Sequence, residues 1–345
     1  MAGRNLNMHE ALFYERLGGD VVRCGLCERR CNIPDGGRGV CGVRENRGGI
    51  LYSLVYGRPV SVAVDPIEKK PLYHFMPGSS VFSVATVGCN FKCLHCQNWE
   101  ISQARPEDFP VPYVSPKRLV GEAVESGAQG LAYTYVEPTI FYEFARDMGV
   151  IGRGAGLYNV FVTNGYFTED VLKDLAGWAD ALNVDLKGDE RFYREVAGGV
   201  SPKIVRRNIL LAYRSGLHVE VTVLVVPGWN DSEEWFREEV VEFLADIDPS
   251  IPLHISRFYP HYRMKNVPPT PIPTLEKLYE LAMEELHYVY LGNVGDPRYE
   301  TTYCPSCGYP VIRRVGYAVE NELRDGRCPN CGREIEGVWS IKNQN

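Results

Sequence analysis

Between residues 80 and 291 the apolar positions come in short, largely continuous runs rather than in alternation. The runs 81–87, 130–134, 160–163, 181–185, 219–226, 253–258 and 288–291 predict parallel strands buried on both faces. The stretches between them carry helix punctuation. Ser115-Pro116 supplies an N-cap and a proline at the first helical position, Gly127 closes that helix, and Ser201-Pro202 with Gly216 repeats the arrangement. Asp231 followed by Glu234 reads as a capping pair, and behind it Phe236, Val240, Phe243 and Leu244 share one helical face. Six or seven such β-α units predict an α/β fold built on a full or partial parallel (β/α) barrel, with its chemistry at the carboxyl ends of the strands.

The flanks lack this rhythm. Residues 1–75 have glycine-rich loops (Gly36-Gly37, Gly48-Gly49) and predict a cysteine-rich N-terminal cap. Residues 76–298 hold the barrel, and residues 299–345 read as short hairpins. The first fifteen residues are polar and charged with no signal-like apolar run. No stretch approaches the roughly 20 apolar residues of a membrane span. A cytoplasmic, soluble protein without a membrane partner is expected. The formal net charge of −7 gives no global case for nucleic acid. Residues 1–60 are the local exception: nine arginines (Arg4, Arg16, Arg23, Arg29, Arg30, Arg38, Arg44, Arg47 and Arg58) face six acidic groups and no lysine. A solvated arginine-rich surface near anionic metal–thiolate chemistry is favoured there over an RNA-binding patch.

The cysteines change the picture. All eleven fall into three groups: Cys24, Cys27, Cys31 and Cys41; Cys89, Cys93 and Cys96; Cys304, Cys307, Cys328 and Cys331. An odd total, tight spacings and the lack of an export signal point to metal sites in a reducing compartment rather than disulfides. The middle group directly follows the first predicted strand. Three thiolates within eight residues can hold three irons of a [4Fe–4S] cubane, leaving the fourth iron open, as a catalytic metal site requires. The competing reading is a three-cysteine zinc loop that recruits a distant histidine. The last group forms two Cys-x2-Cys knuckles, each followed by glycine and separated by 20 residues, which suits a structural zinc ribbon, with rubredoxin-like iron as the second reading. The first group, Cys-x2-Cys-x3-Cys-x9-Cys, fits either a second cluster with Cys41 as fourth ligand or a zinc ion stabilising a small cap.

Cys-x3-Cys-x2-Cys at the end of a first strand resembles the signature of the radical SAM superfamily, and the likeness runs from about residue 80 to 291. The resemblance implies that S-adenosylmethionine chelates the open iron. One electron, supplied under anaerobic conditions by a low-potential donor, would then yield methionine and a 5′-deoxyadenosyl radical. His95 fills the place where the superfamily has an aromatic residue. Tyr135-Val136-Glu137-Pro138 stands where it has Gly-Gly-Glu-Pro, which lacks both glycines here but leaves Glu137 to pair with the ligand's ammonium. Thr163-Asn164-Gly165 is similar to the turn near the ribose, and Asp185-Leu186-Lys187 to the contacts of the methionine moiety. Val226-Pro227-Gly228-Trp229-Asn230-Asp231 resembles the turn after the fifth strand, and Phe258-Tyr259-Pro260-His261 the one after the sixth, with His261 near the nucleoside. Within the superfamily these segments look most like the activating enzymes of glycyl-radical enzymes, such as the pyruvate formate-lyase activator. The four-cysteine cap, the linking segment 65–75, Cys96-Gln97-Asn98-Trp99 and the ribbon together resemble the AmmeMemoRadiSam group over almost the whole chain. That resemblance implies Memo-like and AMMECR-type partner proteins. Hydrogen abstraction from a protein or other macromolecule is the expected reaction. A true glycyl-radical activase and a non-enzymatic metal protein that binds nucleic acid are the alternatives.

Overall fold

All seven apolar runs become strands of one sheet in the computed structural model, which describes residues 8–340; Arg4 lies outside the described residues. In chain order the sheet holds β1 (Ser61–Pro66), β2 (Ser80–Ala85), β3 (Gly130–Tyr133), β4 (Tyr158–Thr163), β5 (Ala181–Asp185), β6 (His218–Val225), β7 (Leu253–Arg257) and β8 (Val289–Gly292). Spatial order follows chain order from β1 to β8, so every strand lies beside its sequence neighbour. Strands β2 to β8 pair in parallel, while β1 joins β2 antiparallel, Ser61 opposite Ala85 and Pro66 opposite Ser80. β1 and β8 are the sheet's two edges and do not pair with each other, so the barrel is partial.

The parallel strands are buried nearly throughout, as their continuous apolar runs require. One face carries Val219, Val221 and Val223 in a single core cluster with helix residues such as Leu119, Ala145 and Ile209. The opposite face carries Val81, Ala132, Val160 and Ala181 against Ile67, Leu72 and Phe75 of the linking segment. Helix starts follow the sequence with two differences. Ser115 caps as expected, its Oγ accepting from the Arg118 amide at 3.3 Å. Ser201 is an N-cap by position, but its hydroxyl donates to Glu190 at 3.0 Å instead. The expected Asp231–Glu234 cap is replaced by Ser232, whose Oγ accepts from the Trp235 amide at 3.4 Å. Asp231 is engaged one turn earlier, accepting from the Gly228 amide at 2.9 Å, so the helix begins a residue later. Among the described residues no helix is long and apolar enough to cross a membrane.

Segment 65–75 fills the face that helices do not cover, and buried polar bonds hold it there. Glu220 on β6 accepts from the amides of Tyr73 (3.0 Å) and His74 (2.7 Å) and pairs with His218 (2.9 Å) and His254 (2.7 Å). Asn183 on β5 donates to the Pro71 carbonyl at 2.7 Å. The same segment carries the C-terminal unit, a three-stranded sheet of Thr302–Tyr303, Pro310–Val315 and Ala318–Asn321. Arg314 of that unit is fully buried, donates to the Tyr73 carbonyl at 2.7 Å and stacks 4.1 Å over the Tyr73 ring. The cap consists of two small antiparallel sheets. Its Arg44 is buried and forms a two-pronged pair with Glu143 at 2.8 and 2.5 Å, which pins the cap to helix Tyr142–Gly154.

Burial alone would push the Glu220 carboxyl up, but hydrogen bonds from His218 and His254 outweigh it and hold the group well below the usual carboxylate range. Its stabilising contribution is therefore present above the ordinary value of 4.5 and is lost as pH falls through the depressed folded value. Glu220→Gln should lower stability at pH 7 by about 1.5–3 kcal/mol, the scale of a buried charged hydrogen bond. In urea unfolding the gap to wild type should narrow as the buffer is taken below pH 4.5. A gap independent of pH would contradict the assignment.

Candidate active site

The loop that follows β2 carries Cys89, Cys93 and Cys96, and main-chain bonds grip it from two later loops. The Lys92 amide donates to the Ala197 carbonyl at 3.0 Å and the Leu94 amide to the Val196 carbonyl at 2.9 Å. The Arg263 amide, from the loop after β7, donates to the Leu94 carbonyl at 3.0 Å. Gly88 opens the loop at φ +92°, and a Cβ there would stand 2.7 Å from the Cys41 carbonyl oxygen and 2.6 Å from Val43, so only glycine fits. The Phe91 amide donates to Cys89 Sγ at 3.4 Å, and Ser102 Oγ lies 3.2 Å from Cys96 Sγ. Burial pushes the Cys89 thiol up to about 12 and the Cys93 thiol to about 11. Thiols this dry become thiolates when a metal binds them. The donor set, three sulfurs on one loop with an amide already aimed at one of them, fits a cluster with one open iron. A zinc loop completed by a histidine would need its ligand atoms in close contact. Among the described residues the one such group is the C-terminal cysteine set.

Around this loop the structure places the residues singled out from the sequence. Glu137 is buried at the end of β3, and its carboxylate accepts from the Thr139 amide (3.2 Å) and hydroxyl (2.5 Å), the Thr163 hydroxyl (2.8 Å) and the Asn164 amide (2.7 Å). Glu137, Thr163 and Asn164 thus form one unit across the ends of β3 and β4. Asn164 Nδ2 extends it by donating to Asn90 Oδ1 at 2.7 Å, and Asn90 Oδ1 lies 3.8 Å from Cys89 Sγ. Lys187 pairs with Asp185 at 2.8 Å. Burial would lower the Lys187 pKa, but the charges of Asp185 and Cys93 prevail and hold it above the ordinary lysine value, so it stays cationic beside the cysteines. Asn230, from the turn after β6, donates to the carbonyls of Lys187 (2.7 Å) and Leu224 (2.8 Å) and accepts from the Val226 amide (2.6 Å). His95 is buried and packs 5.7 Å from the Phe192 ring; burial, aided by Lys187, lowers its pKa to about 3, and its Nδ1 meets no partner. His261 lies beside the loop's far end, its Nε2 3.1 Å from the Gln97 carbonyl.

Tyr135 explains how this chain does without the glycine pair. It takes a left-handed backbone, φ +66°, that favours glycine. Its hydroxyl donates to Asp65, Lys70 Nζ stands 4.6 Å over its ring, and Asn98 donates to its carbonyl at 2.9 Å. Lys70 and Ser83 also bond Asp65, each at 2.7 Å. Asn90, Asn230 and this Asp65–Tyr135 pair are structural parts of the site that motif reading passed over. Asn90 and Asn230 sat inside the quoted motifs, whereas nothing in sequence spacing links Asp65 to Tyr135.

The other two cysteine groups differ from each other in geometry. In the C-terminal unit Cys304 Sγ is 3.6 Å from Cys331 Sγ and Cys307 Sγ is 3.7 Å from Cys328 Sγ, and all four sulfurs lie within 4.8 Å of one another. Such spacing suits one tetrahedral ion. Gly308 and Gly332 take the left-handed turns (φ +70° and +77°) expected after each knuckle. The four cap cysteines instead line a cavity walled by Leu26, Arg44, Asn90 and Ile140.

Comparison with known proteins agrees with this geometry. The sequence model of the radical SAM superfamily matches residues 83–243. An uncharacterized protein of Methanocaldococcus jannaschii is 45% identical over 336 residues, covering 96% of this chain and all of that protein. A second protein of that organism, provisionally named a glycyl-radical enzyme activating enzyme, is 25% identical over 63% of this chain and 80% of its own length. The crystal structure of Streptococcus suis SuiB superposes with a TM-score of 0.50 at 14% identity, over 66% of this chain and 52% of SuiB, a likeness of fold alone. With its cysteine loop at the end of the first parallel strand, the chain belongs to the radical SAM superfamily.

Proposed function

We propose that the protein is a radical SAM enzyme in which Cys89, Cys93 and Cys96 hold a [4Fe–4S] cluster beside an S-adenosylmethionine site formed by His95, Glu137, Thr163, Asn164, Asp185, Lys187 and His261. When bound, the cluster supplies the electron that splits S-adenosylmethionine into methionine and a 5′-deoxyadenosyl radical, which takes hydrogen from a substrate. The observation that carries this reading is Lys187. A half-buried ammonium kept charged next to Cys93 suits a carboxylate held at the cluster's open side. Asp185 orients Lys187, and Glu137 fixes the Thr163-Asn164 turn while Oε2, which accepts one hydrogen bond, keeps a lone pair for a further donor such as an ammonium.

A protein or other macromolecular segment is the substrate class we favour. The sheet is open at its two edges, and exposed Trp99, stacked 5.0 Å from Tyr262, stands directly after the cluster loop. Memo-like and AMMECR-type proteins are the proposed partners. The relative named as an activating enzyme supports a second reading, activation of a glycyl-radical enzyme. The nucleic-acid reading is less favoured, because three of the cap's arginines are engaged within the chain: Arg44 on Glu143, Arg38 on Glu45 and Glu107, Arg29 on the carbonyls of Asn90, Gly198 and Gly199. For the C-terminal unit we propose a structural zinc ion on Cys304, Cys307, Cys328 and Cys331.

Lys187→Ala should weaken S-adenosylmethionine binding by about 1.5–3 kcal/mol, one to two decades, while cluster iron stays at the wild-type level. Titration of the reduced cluster followed by electron paramagnetic resonance measures this, and wild-type affinity would refute the site. Replacing Cys89, Cys93 and Cys96 with Ala should abolish 5′-deoxyadenosine production and remove about four irons per chain.

Cys304→Ser should release zinc and lower the melting temperature, because a closed metal site contributes its binding energy to folding. Wild-type protein that contains no zinc after aerobic purification would refute the ion's identity.

A further inference from the structure

Two buried donors near the cap have no acceptor in the chain. Asn90 Nδ2 and Arg44 Nε are both enclosed, each in a residue 1% exposed, and neither meets a hydrogen-bond partner. A buried donor left unmatched is destabilising, so a native chain rarely keeps one without a ligand to match it. Both residues line one cavity, and its other walls include Cys24, Cys27, Cys31 and Cys41. Two unmatched donors beside a pocket of four thiols call for acceptors of negative, sulfur-rich character.

Sulfur spacing separates the kinds of metal. A zinc–thiolate bond of about 2.3 Å puts tetrahedral sulfurs roughly 3.8 Å apart. The C-terminal group matches, with contacts of 3.6 and 3.7 Å. Among the described residues, no three of the cap sulfurs come within 4.8 Å of one another, and the same holds for Cys89, Cys93 and Cys96. Neither group is gathered around a single-ion centre as the C-terminal one is, whereas a cubane binds each cysteine at a separate iron corner.

The two cysteine groups are also adjacent. The Cys41 carbonyl packs against Gly88, the residue immediately before Cys89 in the loop. Arg29 donates to the Asn90 carbonyl at 3.0 Å, and the Asn90 side chain reaches Cys89 Sγ at 3.8 Å while walling the cap cavity.

We propose that Cys24, Cys27, Cys31 and Cys41 hold a second [4Fe–4S] cluster, side by side with the first across Asn90, and that it relays electrons inward. A low-potential one-electron donor reduces the second cluster, the same electron passes to the first, and the second returns to its oxidised state. Each cleavage of S-adenosylmethionine consumes that one electron. The relay's destination rests on the proposed function; the presence of the second cluster does not.

The test is metal analysis and spectroscopy of the full-length protein reconstituted anaerobically. Wild type should carry about eight irons, and about four should remain both in the Cys89/Cys93/Cys96→Ala variant and in a Cys24/Cys41→Ala variant. If the latter fails to fold, the former still decides, since its cap cysteines are intact and its Mössbauer spectrum should be that of a four-iron cluster. Two zincs and about four irons in wild type would overturn the second cluster. With both clusters reduced by dithionite, wild-type resonance signals should be broadened by magnetic coupling, and spectra equal to the sum of the two single-cluster variants would overturn the relay. Asn90→Ala should lower the second cluster's reduction potential without changing iron content, because hydrogen bonds to cluster sulfurs raise it; an unchanged potential would remove Asn90 from the junction. A wild type with both clusters but no 5′-deoxyadenosine would count against the proposed function and leave the second cluster standing.

Discussion

The loop of Cys89, Cys93 and Cys96 is held in place by main-chain hydrogen bonds, and the arrangement of the site depends on them. Leu94 is the pivot: its amide bonds the segment after β5 and its carbonyl bonds the segment after β7. Those two bonds, with Lys92 to Ala197, set where the three thiols stand relative to Lys187 and His261. Backbone bonds of this kind hold position without consuming side chains. The cysteines remain available for metal, and the polar side chains of the rim for one another.

That division explains what the sequence could and could not reveal. The parallel strands were legible because burial on both faces writes a continuous apolar run. β1 was not, because it is an edge strand whose Val62 and Val64 are exposed while its neighbours alternate inward, and it lies in a stretch read as cap. The Asp231 cap misread has a local cause: aspartate and serine both cap helices, and a tight turn took the aspartate first.

At the site, the grouping of Glu137 with Thr163 and Asn164, and of Asp185 with Lys187, followed from motif order along successive strand ends. What the glycine motif's absence meant did not. Tyr135 keeps a glycine-like backbone because Asp65, seventy positions earlier, captures its hydroxyl, and Asp65 is itself neutralised by Lys69 and Lys70. Long-range compensation of this sort leaves no periodic trace. The interior follows the same logic, since a carboxylate such as Glu220 survives burial through four donors, three of them from outside its own strand.

The linking segment couples the C-terminal unit to the sheet. The C-terminal unit attaches in part to main-chain atoms of residues 73–76: Arg314 to the Tyr73 carbonyl, the Val338 amide to the His74 carbonyl, and the Met76 amide to the Val338 carbonyl. The same residues are held to the sheet by Glu220, which accepts from the Tyr73 and His74 amides. The C-terminal unit therefore rests on a surface that the sheet itself shapes. The two share one joint, and a change at Glu220 reaches the C-terminal unit through residues 73 and 74.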